Sequence, residues 1–387
     1  MGLSHAPSVV TNGLVFYYDM GNSQKSWKGA PTTNLLSISG WNTNFNGTAP
    51  YWSTMTRTMI TSDLLFSGVN IGQGVTSTAA SYGFGYIDFP LPTGTTAGVA
   101  YACSFWYKSA SRTASVWCHD TAGGNTVYSS TLPADGKWNR GVAVFTSTAT
   151  GSVRLHFHMN AGSVGDVVYF TAPMIEQQSF GTPFVNGTRS NTQALIDLTG
   201  LQTITANSLT YNSDGTFSFS GSQYCTVSSL SNFNFGTGFT AIVWHKNIGG
   251  DYRGIVANTY GGAGFDLRYG REDYYGGANN GTNLNCYIRT SAGTYNSIVY
   301  ADLNQYKQYA YTYNGSSLIT YKNGTQWSSI AASGNISTTA NPVVIGRNLV
   351  GAEYLTGSLP IVQIYNRALS AQEIQQNFNS IRGRFGL

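Results

Sequence analysis

The stretch Gly357-Ser-Leu-Pro-Ile-Val-Gln-Ile-Tyr-Asn-Arg-Ala-Leu-Ser-Ala-Gln-Glu-Ile374 decides the fold, because it joins the clearest buried strand of this chain to its one convincing helix. Leu359 to Tyr365 is rich in apolar residues, as a core strand is, and Asn366-Arg367 supplies a polar turn. Ser370 and Glu373 have capping-box spacing. The Ser hydroxyl takes the orphan N–H three residues on, while the Glu carboxylate reaches back and complements the helix dipole. The pattern predicts a short helix from Ala371 to about Ile381. Everything before it reads as β.

A chain of 387 residues is too long for one ordinary sandwich and suits two domains, each with its own core. Only 9% of the residues are charged, whereas Gly (46), Tyr (26) and Phe (19) are abundant, the profile of an all-β protein solubilised by hydroxyls and amides. The 20 basic and 16 acidic residues balance to +4 without a basic run, so no nucleic-acid partner is expected. Nowhere do ~18 apolar residues run together, so no membrane insertion is expected. Met1 to Val10 lacks the charged start and long apolar core of a secretory signal, which predicts synthesis in a host cytoplasm without a signal peptide. The four Cys do not amount to a disulfide framework. Cys103 and Cys118, which a hairpin could bring together, read better as two small buried thiols.

Along the chain, Asn12-Gly-Leu-Val-Phe-Tyr-Tyr-Asp19 is a turn followed by an apolar strand. Ala100 to Lys108 and Ala114 to His119 read as partner strands, and Ser152 to His158 alternates with period two. From Gln305 to Ile330 two hairpins follow each other, with Asn314-Gly315 and Asn323-Gly324 as turns of type I′, in which both central residues need positive φ. Gly249 to Thr282, crowded with Gly, Tyr, Asn and charge, reads as exposed loop.

The closing stretch resembles the end of laminin-G-like, concanavalin A-like jelly rolls: a Gly, a strand, Tyr-Asn-Arg-Ala-Leu-Ser and an acidic-Ile helix start. Asn12 to Asp19 resembles the opening strand of such domains in phage proteins. Their next landmarks come only at Leu195-Ile-Asp-Leu-Thr-Gly200, Phe217 to Val227 and Phe239 to His245. Between them, Thr33 to Ser190 resembles carbohydrate-binding-module-like jelly rolls of phage tail and fibre proteins, above all in Pro173-Met-Ile-Glu176 followed by Thr182-Pro-Phe-Val-Asn-Gly-Thr-Arg-Ser190. These resemblances imply an all-β fold of two jelly-roll β-sandwiches and one short C-terminal helix. Residues 1–31 with 191–387 would form the laminin-G-like domain, and residues 32–190 would be inserted in it. Leu359 to Tyr365 should then lie in the same sandwich as Leu14 to Tyr18.

Chemistry has few candidates. Glycan hydrolysis needs two carboxylates facing one bond, ~5 to ~9.5 Å apart. Glu272 and Asp273 are adjacent and would point to opposite sides of an extended segment, and the Glu-x-Asp-x-x-Glu strand of jelly-roll glucanases is missing. No enzymatic activity is therefore expected. His156 and His158 share a strand face and, with His119, form the one arrangement of histidines that merits comparison with a metal site, although satisfied strand histidines explain it as well. Both families can hold calcium with loop oxygens, for which Glu176, Asp251 and Asp266 are the thin local supply.

Glycan binding asks less, since aromatic planes and amides complement the flat C–H faces and hydroxyl edges of sugars. Trp41, Tyr51 and Trp52 in the first module and Tyr252, Tyr260, Tyr269, Tyr274 and Tyr275 in the second are the candidates. Tyr274-Tyr275, beside Gly276-Gly277 and the amides of Asn279 and Asn280, is the best placed. The resemblances imply a structural, surface-exposed bacteriophage virion protein, in a fibre, tail or head decoration, that binds host-surface glycan. It would sit among other virion proteins as a homo-oligomer, with its first ~10 residues as an arm that attaches to the particle or a sister subunit. A decoration protein without ligand and a polysaccharide depolymerase are the alternatives.

Overall fold

The computed structural model describes residues 8–22, 25–44, 55–76, 83–89, 95–120, 126–148, 150–151, 153–160, 162–211, 217–230, 233–248, 253–259, 263–270, 283–349 and 353–387. The chain forms two compact units, residues 1–30 with 191–387 and residues 31–190. Both are built of antiparallel sheets, and the longest helix among the described residues is Ala371–Ile381. The all-β, sandwich-type class and the short C-terminal helix expected from the sequence are what the molecule adopts.

In the first unit the opening strand Leu14–Asp19 pairs antiparallel with the closing strand Thr356–Tyr365, with Tyr18 opposite Val362. The closing strand is the centre of an eight-stranded sheet. Phe239–Asn247 lies on its other side, followed outward by Tyr306–Tyr313, Ser317–Lys322 and the edge strand Thr325–Ala331. A seven-stranded sheet faces it, in the order Thr205–Asn207, Tyr224–Val227, Val343–Ile345, Arg253–Ala257, Gly264–Tyr269, Asn283–Thr290 and Gly293–Tyr300. Alternation along these strands sends Phe265, Leu267, Leu284, Cys286 and Ile288 into a core shared with Val243, Tyr311, Val362 and Ile364.

The helix lies on the outer face of the eight-stranded sheet. Ser370 accepts from the Glu373 N–H and the Glu373 carboxylate accepts from the Ser370 N–H, the capping box read from the sequence. Glu373 also takes a two-pronged ion pair from Arg367, with one contact at 2.6 Å. The buried stripe Ile374, Phe378 and Ile381 packs on Ile242, Trp244 and Ile361, with the Phe378 ring stacked on the Trp244 indole. The N-terminal segment joins this layer: the Val10 N–H donates to Asn377 Oδ1 at 2.8 Å, Tyr365 Oη donates to the Val10 carbonyl at 2.9 Å, and Gln376 Nε2 donates to the Ser8 carbonyl. Ser8 to Val10 are thus not a free arm, because amide hydrogen bonds and the packing of two valines hold them on their own helix; residues 1–7 lie outside the described residues.

Of the two hairpin turns, Asn323-Gly324 has positive φ at both residues, as type I′ requires. Asn314-Gly315 differs, with positive φ only at the glycine. The Asn314 side chain accepts from the Ser316 and Ser317 N–H groups, and this local bond favours an Asx-type turn over the mirror-image one.

The second unit has a five-stranded sheet, Met55–Ile60, Ile71–Thr76, Val167–Glu176, Ala100–Ser109 and Asn139–Thr146, and a four-stranded one, Gly83–Phe89, Val153–Met159, Ala114–Asp120 and Thr126–Tyr128. Phe105, Tyr107, Val116, Leu155 and Phe170 fill its core. Its two ends meet in a two-stranded ladder, Thr32–Thr33 with Thr188–Arg189. In the first unit the chain likewise leaves and returns side by side, with Trp27 bridged to Leu195 and the Lys28 N–H donating to the Ala194 carbonyl. Cys103 and Cys118 are joined as a disulfide, which corrects the reading of two free thiols: they stand on strands of different sheets, at a Cα separation of 6.4 Å that a bridge can span.

Candidate functional site

The outer face of the seven-stranded sheet is polar, and strand pairing assembles it. Residues opposite each other in a ladder share a face, so Asp266, Tyr287 and Asn296 form one row across three strands and Arg268 and Asn285 a second across two. The alternation Asn283-Leu-Asn-Cys-Tyr-Ile-Arg-Thr290 puts Leu284, Cys286 and Ile288 in the core and the intervening polar residues outside. Gly254 lets the segment after Ile345 cross this face, since a Cβ there would stand 2.1 Å from Asn348 N and 2.2 Å from the Arg347 carbonyl carbon. That crossing brings Glu353 to Arg268: the Gly254 N–H donates to the Glu353 carbonyl at 3.0 Å, and Asn348 Nδ2 donates to the Glu353 carboxylate at 2.5 Å.

Arg268 is the hub. Its Nε lies 3.3 Å from Asp266 Oδ2, one terminal nitrogen lies 3.7 Å from Glu353 Oε2, and its guanidinium sits 4.7 Å from the centroid of the Tyr287 ring. Asp266 is 3% exposed. Burial pushes its carboxyl up to about 6, Glu353 adds to the rise, and the Arg268 and Arg289 guanidiniums oppose it. Asn296 Nδ2 donates to Asn285 Oδ1 at 3.0 Å. Among the described residues, Asp266 Oδ1, Arg289 Nε and Asn296 Oδ1 are buried without a hydrogen-bond partner. The face therefore runs from a buried acid–arginine–tyrosine group to the half-buried Arg289, Asn296 and Glu353, whose side chains supply hydrogen-bond donors and acceptors.

The residues singled out from the sequence fall in several places. Tyr274, Tyr275, Asn279, Asn280, Tyr252, Tyr260, Tyr51, Trp52, Asp251, Glu272 and Asp273 lie outside the described residues. Gly249 to Thr282 is not simply exposed loop, for Arg253–Ala257 and Gly264–Tyr269 are strands and the latter is buried throughout. Tyr269 faces the core, where its hydroxyl meets His245 Nδ1 at 2.9 Å. Trp41 is also a core residue, 1% exposed, with its indole N–H on the Asn70 carbonyl, so its ring offers no face to a sugar.

The two calcium candidates among the described residues are engaged by protein groups. Glu176 receives the Thr182 N–H at 2.7 Å and the Thr182 hydroxyl at 2.6 Å, and Asp266 is engaged by Arg268. The Pro-Met-Ile-Glu ending thus has a packing role, with Thr182 also receiving Arg189. No group of three or more His, Cys, Asp or Glu able to hold a metal occurs among the described residues. Backbone register sets His156 opposite Trp117 and His119 opposite Arg154. Tyr287, Arg289, Asn296 and Glu353 escaped the sequence reading, although period-two alternation over 283–290 was the available signal.

Residues 219–375 match the model of the concanavalin A-like lectin/glucanases superfamily, Laminin_G_3. This stretch is similar to concanavalin A-like jelly-roll domains. It contains the whole polar face described above. No curated protein matches the chain. Among solved structures, domain 4 of AbnA, an extracellular arabinanase from Geobacillus stearothermophilus, is 17% identical, covering 49% of this chain and 92% of that one at a TM-score of 0.37. The receptor-binding domain of botulinum neurotoxin D is 14% identical, covering 51% of each chain at 0.38. The binding domain of Paraclostridial Mosquitocidal Protein 1 is 17% identical, covering 48% of this chain and 49% of that one at 0.36. The chain spans about half the length of the toxin domains it matches.

Proposed function

We propose that this protein is a structural component exposed on a bacteriophage virion, as fibre, tail or head decoration, and that its concanavalin A-like domain binds host-surface glycan. The observation that carries the binding role is the polar outer face of the seven-stranded sheet, where the half-buried Arg289 and Asn296 each keep a polar side-chain atom without a hydrogen-bond partner among the described residues. Sugar hydroxyls pair with the half-buried side chains on this face, since Arg289 donates and the Asn296 amide both donates and accepts. Support for the virion comes from the sequence: the opening strand, the Pro173 to Ser190 junction and the closing stretch together resemble phage proteins. Tyr274, Tyr275, Asn279 and Asn280, which follow Gly264–Tyr269 in the sequence, remain candidates for glycan contacts by residue type. Self-association and contacts with other virion proteins would then come from the remaining surfaces.

Fluorescently labelled protein should bind host cells and lose binding when surface polysaccharide is stripped enzymatically. Equal binding to stripped cells would overturn the proposal. The depolymerase alternative draws on two carboxylates, Asp266 and Glu353, meeting at one arginine. It requires new reducing ends from the polysaccharide, abolished by Asp266→Asn, whereas a binding protein releases none.

A further inference from the structure

Unpartnered aromatic surface is rare among the described residues. Among the described residues the strongly exposed large apolar side chains are six scattered aliphatics and two aromatics, Tyr300 at 56% and Trp327 at 46%. The two aromatics touch. Their ring centroids are 6.1 Å apart at an interplanar angle of 84°, which makes an open corner with one ring as floor and the other as wall. They come from the two edge strands, Gly293–Tyr300 of the seven-stranded sheet and Thr325–Ala331 of the eight-stranded one. Ser297 and Ser328 hydrogen bond across this seam at 2.9 Å and fix the edges against each other.

The corner is braced by charge. Lys322 Nζ lies 5.2 Å from the Trp327 centroid, donates to the Tyr300 carbonyl at 3.0 Å and pairs with Asp302 Oδ1 at 2.7 Å. Lys307 approaches the same carboxylate at 3.5 Å. One lysine therefore sets the indole, the tyrosine backbone and the acid in a single arrangement before any ligand arrives, which lowers the ordering cost of binding. Asp302 retains 40% side-chain exposure, so it can still accept from a ligand hydroxyl.

We infer that the Tyr300–Trp327 corner is a second glycan subsite, which holds one hexopyranose residue with its C–H face on Trp327 and its hydroxyls toward Asp302 and Lys322. Size and composition favour a sugar over a protein partner. A stable protein interface buries about 800 Å² on each side around a core poor in charge. Here two rings are ringed closely by Lys322, Lys307 and Asp302, and a single pyranose is about as wide as an indole. The inference rests on the glycan-binding reading and adds to it a site on the edge of the sandwich, at the end of the strand that carries Asn296.

The test uses the full chain on a printed array of bacterial capsular and O-antigen polysaccharides, with Trp327→Ala, Trp327→Phe and Asp302→Asn beside the wild type. Both positions are on the surface, and circular dichroism and thermal melts that overlay the wild type establish that the variants fold. Trp327→Ala should lower the signal on the bound polysaccharide about tenfold or more, Asp302→Asn should weaken it, and Trp327→Phe should keep most of it. A wild type that binds polysaccharide while Trp327→Ala binds it equally well overturns the second subsite and leaves the glycan reading standing. A wild type that binds none of the polysaccharides overturns both.

Discussion

His245 makes the interior of the first unit sensitive to acid. It is 1% exposed, its Nδ1 is 2.9 Å from the Tyr269 hydroxyl, and among the described residues its Nε2 has no partner and no carboxylate hydrogen bonds to it. Burial pushes the imidazole down to about 3. Below an unfolded value near 6.5 the unfolded chain takes up a proton that the folded chain refuses, so stability falls as the pH drops through this window. Between pH 7 and pH 4 the loss is about 3 kcal/mol. Asp266 works in the opposite sense: raised to about 6, it is protonated first in the folded state, and its contribution is present at low pH and lost as the pH rises through 6. Wild type alone therefore shows a partial cancellation. Urea titrations of wild type and His245→Gln at pH 7, 5.5 and 4 isolate the histidine. The difference in unfolding free energy between the two should shift by about 3 kcal/mol in favour of the variant from pH 7 to pH 4. Parallel curves for the two proteins would refute a buried, neutral His245.

Three further outcomes follow from particular contacts. Gly254→Ala sets a Cβ against backbone atoms of Arg347 and Asn348 that cannot rotate away, so it should cost about 2 kcal/mol or more in denaturant titrations; an unchanged midpoint would refute the strand crossing. Glu373→Gln removes the Arg367 fork and half of the capping box, for about 1 kcal/mol at neutral pH. The hydrogen bond from Arg367 holds the Glu373 carboxyl down to about 2, so this contribution is present above the usual 4.5 and fades as the pH falls, and melts of wild type and variant should converge near pH 2. The Cys103→Ser, Cys118→Ser double variant loses a cross-link that spans 15 residues and should be less stable by about 3 kcal/mol. Thiol alkylation of the unfolded, unreduced wild type should label Cys225 and Cys286 alone.

How far the sequence was legible depends on how local each signal is. The closing helix was readable to its ends because Ser370 and Glu373 satisfy each other within four residues. The Asn323-Gly324 turn was readable because φ alone selects it, whereas at Asn314 a side-chain bond to Ser316 and Ser317 overrides the dipeptide rule. Strands 253–257 and 264–269 were hidden by their polar setting: Arg268 and Asp266 are ordinary surface residues until Glu353, over 80 positions later, closes the ion cluster over them. Likewise nothing in Val9-Val10 announces the helix that Asn377 provides, and the bond between Cys103 and Cys118 depends on two sheets meeting. Trp41, with the residue type of a ligand platform, is a core residue because Asn70 offers its indole a carbonyl.

The most direct test of the central claim is a calorimetric titration of the full chain with purified host-surface polysaccharide, comparing wild type with an Arg289→Ala, Asn296→Ala variant. Saturable binding in the wild type, weakened tenfold or more in the variant while the melting temperature holds, is the expected result. Absence of binding in the wild type, or equal affinity in both proteins, would contradict a glycan site on the polar face of the seven-stranded sheet.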